Sequence, residues 1–165
     1  MKRLAILTAA CLALPAAAQA PGFVFHADLT GFEEVPSVGS SARGTFDAVL
    51  AGDFQSIAYT LSFSGLSSAV QQAHIHFATP SVNGPIIIWL CGTTALPGPA
   101  GTPTCPQAGT VSGVITSAQV LASPATQQIA AGDLGKMING LRRGAAYANV
   151  HTLISPGGEI RGQIE

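Results

Sequence analysis

Charge is scarce in this chain: Asp, Glu, Lys and Arg together make up 9% of its 165 residues, and the formal net charge is −1. Without a basic excess, nucleic-acid binding loses its electrostatic basis. No apolar run approaches the roughly 20 residues that a bilayer-spanning helix needs. Motifs of common enzymes are missing too. Phe63-Ser64-Gly65 lacks the first glycine and the strand-to-helix setting of a hydrolase elbow, and no phosphate-binding glycine loop occurs. Glu33 and Glu34 are adjacent, so in a strand they face opposite sides and cannot form the facing carboxylate pair of a glycosidase. No repeat of 20 to 50 residues appears, which argues against a solenoid or propeller. Cysteine is sparse, at positions 11, 91 and 105, with no C-x-x-C pair to suggest a thiolate metal site.

What is present begins with a leader. Met1-Lys2-Arg3, the apolar stretch Leu4 to Leu14 and the small residues Ala18-Gln19-Ala20 follow the order of a secretory signal peptide. The expectation is a leader over 1–20 and one domain over 21–165, a length suited to a single core. Removing Lys2 and Arg3 leaves five basic against eight acidic residues, a net −3. A lipoprotein would need a better sequence before Cys11, where threonine replaces the usual leucine in Leu7-Thr8-Ala9-Ala10. The expected location is secreted or periplasmic, and there the remaining Cys91 and Cys105 should form a disulfide closing the loop from Gly92 to Thr104.

Nineteen glycines and eleven prolines suit short strands joined by tight turns. Alternating patterns predict strands over 23–30, 42–50, 54–63, 70–78, 145–153 and 158–164, and apolar or β-rich runs predict two more over 85–90 and 110–115. The continuous run from Pro85 to Leu90 reads as an interior strand. A short helical turn is expected at 116–119 and a helix over 131–141, where Leu134, Met137, Ile138 and Leu141 recur at helical spacing. The fold class is therefore all-β, an antiparallel Greek-key β-sandwich or barrel with one or two short helices. Glu159 and Arg161 share a strand face and are expected to form an exposed ion pair worth about 0–1 kcal/mol.

Three of the four histidines carry whatever chemistry the pattern offers. His74 and His76 leave one face of a strand with Cα atoms roughly 6.5–7 Å apart, so both rings can reach one ion. His151 falls on the outward face of another strand, and imidazole suits copper or zinc. The competing reading makes all three surface or hydrogen-bonded structural residues, with Asn149 and Thr152 pinning a loop. His26 lies on the outward face of the first strand and is left out of the candidate metal set His74, His76 and His151.

The strings EEVPSV at 33–38, ARGTF at 42–46, AHIHFATPSVNGPI at 73–86 and AYANVHTLISPGGEIRGQI at 146–164 resemble the CHRD (chordin-type) domain family. This resemblance spans nearly all of residues 21–165 and implies a single-domain exported protein of the bacterial kind. More distantly, the chain is similar to the copper/zinc superoxide dismutase β-sandwich. There His74, His76 and His151 would match copper ligands, and Gly132-Asp133-Leu134-Gly135 a stretch near the metal site. The match lacks a bridging histidine and a zinc-ligand cluster, and Glu159 stands where a substrate-guiding arginine would be expected.

Two functions follow as expectations. One is a non-catalytic extracellular or periplasmic binding domain for a partner met outside the cytoplasm, with copper, or less favourably zinc, on the strand histidines. The other is a small copper carrier or copper-dependent redox enzyme. The leader is tested first: N-terminal sequencing of the exported protein should read Pro21-Gly22-Phe23, and an acylated Cys11 at the terminus would replace that expectation.

Overall fold

The computed structural model describes residues 22–165; the expected leader over 1–20 and Cys11 lie outside the described residues. Eight strands are present: β1 (Val24–Thr30), β2 (Arg43–Leu50), β3 (Ile57–Ser64), β4 (Val70–His76), β5 (Ile86–Gly92), β6 (Gly109–Ile115), β7 (Tyr147–Thr152) and β8 (Ile160–Gln163). They form one antiparallel sheet in the order β5-β4-β7-β8-β1-β2-β3-β6. The chain crosses between the two halves of this order after β3, after β5 and after β6, the connectivity of a Greek key. Curling brings the terminal strands β5 and β6 towards each other, so the sheet is a nearly closed barrel.

Period-2 alternation explains the first half. In β1, Phe25, Ala27 and Leu29 are buried while Val24, His26 and Asp28 are exposed. β3 turns Ile57, Tyr59, Leu61 and Phe63 inward, as its pattern predicts. These side chains join Phe46, Ile75, Ile87, Ile88, Leu90, Val150 and Ile160 in one apolar core.

The helix α1 (Leu134–Leu141) begins three residues later than its apolar spacing suggested. Asp133 accepts a hydrogen bond from the Lys136 N–H at 3.0 Å and so caps the helix at that point. The turn at Ser117–Gln119 forms as expected, with Thr116 and Gln119 in a capping box.

The second half departs from its pattern. All six residues of β7 are buried, as are His74 and His76 in β4, so the expected outward, water-facing positions of His74, His76 and His151 are corrected. Loops cover that face. Asn83 donates to the Val35 carbonyl at 2.9 Å, tying the β4–β5 loop to the segment before β2, and Gln163 donates to the carbonyls of Ala78 and Gly144. The expected interior place of the 85–90 strand is also corrected. β5 ends the sheet order; its Ile87, Ile88 and Leu90 are buried in the core, and Gly98 of the 92–104 loop lies against its Trp89. Cys91 and Cys105 are joined, with Cα atoms 4.9 Å apart, and closing a loop of this size stabilises by about 3 kcal/mol in the chain-entropy picture.

Nor do Glu159 and Arg161 pair on the surface; both are buried. The Glu159 carboxylate accepts from Ser40 Oγ at 2.7 Å, Ser67 N–H and Ser67 Oγ at 2.8 Å, and Thr152 Oγ1 at 2.7 Å. It thereby fastens two loops to β7, and these hydroxyl and amide donors leave it no need of the guanidinium. Burial alone would raise its pKa, but the bonds from Ser40, Thr152 and Ser67 outweigh burial and hold it below the ordinary value. A depressed carboxyl contributes stability that is full above the unfolded-state pKa and lost as pH falls through the folded one. Glu159→Gln should therefore cost about 1.5–3 kcal/mol near neutral pH. In urea unfolding the gap between wild type and variant should shrink towards about pH 3; a gap that widens on acidification contradicts this role.

Candidate metal centre

Strand register sets the site. On the covered face, Trp89 of β5, His74 of β4, Asn149 of β7 and Arg161 of β8 lie side by side across four strands. One row along, His76 pairs with Tyr147 and Tyr147 with Gln163; one row the other way, Gln72 pairs with His151. The intervening residues Ala73, Ile75, Ala148 and Val150 point into the apolar core. Two-residue periodicity thus places three imidazoles on one face, where antiparallel pairing of β4 with β7 brings them together.

The three rings converge. One nitrogen from each of His74, His76 and His151 lies within 4.8 Å of the others, and among the described residues this is the group of His, Cys, Asp or Glu side chains near enough to share an ion. His74 Nδ1 is 3.1 Å from His151 Nε2. His76 Nδ1–H donates to the Gly84 carbonyl at 2.9 Å, and His151 Nδ1 lies 3.0 Å from the Pro156 carbonyl. Since a carbonyl only accepts, the Gly84 bond fixes the His76 tautomer and leaves its Nε2 with a free lone pair, whereas Nε2 of His151 also lies 2.9 Å from Asn149 Oδ1. Nε2 of His74 and Nε2 of His76 are buried with no hydrogen-bond partner, a condition that costs about 1–3 kcal/mol per group unless something satisfies it. Three histidines so placed can hold a metal ion.

The surroundings keep the rings neutral. Burial foremost, then the neighbouring His151 and His76, pushes His74 down to about 2. Burial lowers His76 to about 4, although its bond to Gly84 pulls the other way. Burial also lowers His151, against the bond to Pro156. His74 packs perpendicular to the Trp89 ring at 4.4 Å between centroids. His76 stacks parallel on Tyr147 at 4.8 Å, and the Arg161 guanidinium carbon lies 3.4 Å from the same tyrosine's ring centre. Because β7 runs between β4 and β8, Tyr147 is sandwiched by imidazole and guanidinium. Arg161 further donates to Asn83 Oδ1 and the Val82 carbonyl.

Glu34, Asn149, Tyr147 and Arg161 belong to the site although sequence patterning assigned them no part in it. Glu34 is buried, and burial raises its carboxyl to about 7 against the opposing effects of Arg161 and Asn149. Gly158 makes room for this corner. Its φ is +126°, and a side-chain carbon there would meet Glu34 Oε1 and lie 2.7 Å from Asn149 Nδ2. The signal available in the sequence was the alternation Tyr147, Asn149, His151, which the register turns into a shared face.

His26 is elsewhere, exposed on β1, with Nδ1 2.7 Å from Asp47 Oδ1 and Nε2 3.4 Å from Asp28 Oδ1. The Gly132–Gly135 stretch, likened to part of a metal site, instead caps α1: Asp133 bonds to the Lys136 N–H and pairs with the Lys136 ammonium at 3.3 Å.

A family model for the CHRD domain matches residues 25–164. The chain belongs to the CHRD family. No curated protein and no solved structure matches this CHRD domain. No helix among the described residues is long and apolar enough to cross a membrane.

Proton titration followed by NMR should separate the four histidines. The Asp47 hydrogen bond, followed by the charges of Asp47 and Asp28, outweighs the small cost of burial and raises His26. Its midpoint should lie above the ordinary value of about 6.5, with those of His74, His76 and His151 below it. Because the unfolded chain then takes up protons first, each buried ring contributes stability above about pH 6.5 that drains away on acidification. A cluster histidine with a midpoint at or above the ordinary value contradicts the site as described.

Proposed function

We propose that this CHRD domain is exported and acts outside the cytoplasm as a non-catalytic binding domain, holding a copper ion on His74, His76 and His151. The observation that carries this reading is the meeting of three buried, neutral imidazoles, two with ring nitrogens lacking any partner. Neutral imidazole is the form that ligates, so binding requires no proton to be removed near neutral pH. The donor set supports copper first. Cys91 and Cys105 are consumed by their disulfide, and for nitrogen ligands the affinity order of first-row divalent ions peaks at copper, with zinc below it.

Burial favours holding an ion over turning over a substrate. His74 is wholly buried, and only 7% of His76 and 5% of His151 remain exposed. The ligands sit on strands, and Nδ1 of His76 and Nδ1 of His151 lie against backbone carbonyls, which suits a fixed coordination geometry. Export is supported by the leader pattern over 1–20 and by the disulfide, which persists in an oxidising compartment. A copper carrier or redox enzyme remains the second reading, and it rests on the same three ligands.

Untagged protein recovered from the periplasm or medium should carry copper or take up one equivalent of copper(II) on titration. His76→Ala should weaken that binding well over tenfold, at the upper end of or beyond what loss of a supporting group produces, while the β-sheet circular dichroism persists. Equal affinity in the variant returns the histidines to a structural role.

A further inference from the structure

The ring of His151 faces an oxygen at both nitrogens: the Pro156 carbonyl at 3.0 Å from Nδ1 and Asn149 Oδ1 at 2.9 Å from Nε2. A neutral imidazole carries one N–H and can satisfy only one of them. With the proton on Nδ1, two lone pairs confront each other between Nε2 and Asn149 Oδ1. With the proton on Nε2, the same conflict moves to Pro156. Double protonation would satisfy both oxygens only by placing a full charge on a ring that is 5% exposed and packed against two further imidazoles. His74 Nδ1, 3.1 Å from the same Nε2, brings at most one proton to this meeting point. A cation in the midst of these lone pairs resolves the conflict that no tautomer does.

Asn149 is enclosed on every side. It is 1% exposed, lies two residues from His151 on β7, and pairs in register with His74. Its Nδ2 is directed to the corner occupied by Glu34 Oε1, above Gly158. Turning the amide over would put its oxygen against the Glu34 carboxyl in place of the NH2 group. The amide oxygen is thereby left facing the imidazoles.

We propose that Asn149 supplies a fourth ligand through Oδ1, making the centre a site of three imidazoles and one amide oxygen. This rests on the metal-binding reading above and adds a residue that neither the histidine spacing nor the family match assigns. An amide oxygen is a weaker donor than imidazole, of the kind found as a long axial ligand in copper sites. It would add to both the affinity and the geometry of the centre.

The test uses the full exported chain, copper(II) as the probe, and two variants with affinity and electron paramagnetic resonance as readouts. Asn149→Leu removes the oxygen at similar volume and should weaken copper(II) binding by about tenfold or more, with a changed copper hyperfine splitting. Asn149→Asp keeps an oxygen and adds charge. It should bind at least as tightly as wild type, with a shifted spectrum. Wild-type affinity and an unchanged spectrum in Asn149→Leu would overturn the fourth ligand while leaving the three-histidine site standing. Should circular dichroism show that the leucine variant does not fold, Asn149→Asp decides, and a spectrum and affinity identical to wild type overturn the proposal. A wild-type chain that binds neither copper(II) nor zinc overturns the metal reading and this inference together.

Discussion

Everything distinctive in this domain follows from covering the polar face of β4, β7 and β8. A strand face lined with His74, His76, Asn149, His151 and Arg161 would ordinarily meet water, where each polar group finds its partners without help. Here loops lie over it, and each group must be satisfied by protein. Most are: Arg161 by Asn83, Val82 and the Tyr147 ring, and Glu159 by three hydroxyls and an amide. Among those left without a partner are Nε2 of His74 and Nε2 of His76, on two of the three imidazoles that meet there.

The supports of that place come from distant parts of the chain. The β4–β5 loop provides Gly84, which orients His76, and the β7–β8 turn provides Pro156, which orients His151. Trp89, beside His74, is backed by the disulfide-closed loop, where Gly98 at φ +70° comes so near the indole that a side-chain carbon would lie 2.6 Å from it. Ligand geometry is held by elements separated in sequence, so it exists only when the whole barrel does.

How much of this the chain discloses by itself depends on the range of the interaction. Strands with one apolar and one wet face, such as β1 and β3, are legible to within a few residues because alternation is a local signal. The partnership of His74 and His76 is local too, and His151 joined them through its face and the family likeness. The burial of those same residues is not local. It depends on loops 77–85 and 31–42 folding across the sheet, and a polar residue under a loop has the same sequence signature as one under water. Glu159 and Arg161 misled for that reason: two residues apart and opposite in charge, they read as a surface pair, whereas each is claimed by donors or aromatics far away in the chain. Glu34 shows the converse, a charged residue beside an exposed Glu33 with nothing nearby to mark it as buried.

The incompletely closed seam between β5 and β6 has a consequence for the history of the molecule. Strand edges present unpaired N–H and C=O groups that recruit other strands, and proteins blunt them with prolines, twists or coverings. Here the covering is the segment 92–104, rich in proline and glycine, which bonds back to β5 through Gly92 and the Pro103 carbonyl and is clasped by Cys91–Cys105. The clasp is made only after oxidation. Between synthesis and oxidation the seam is guarded by a loop with little apolar surface of its own, so the thiol form is the stage at which the chain is most open to joining edge to edge with another copy, and formation of the Cys91–Cys105 bond ends that exposure.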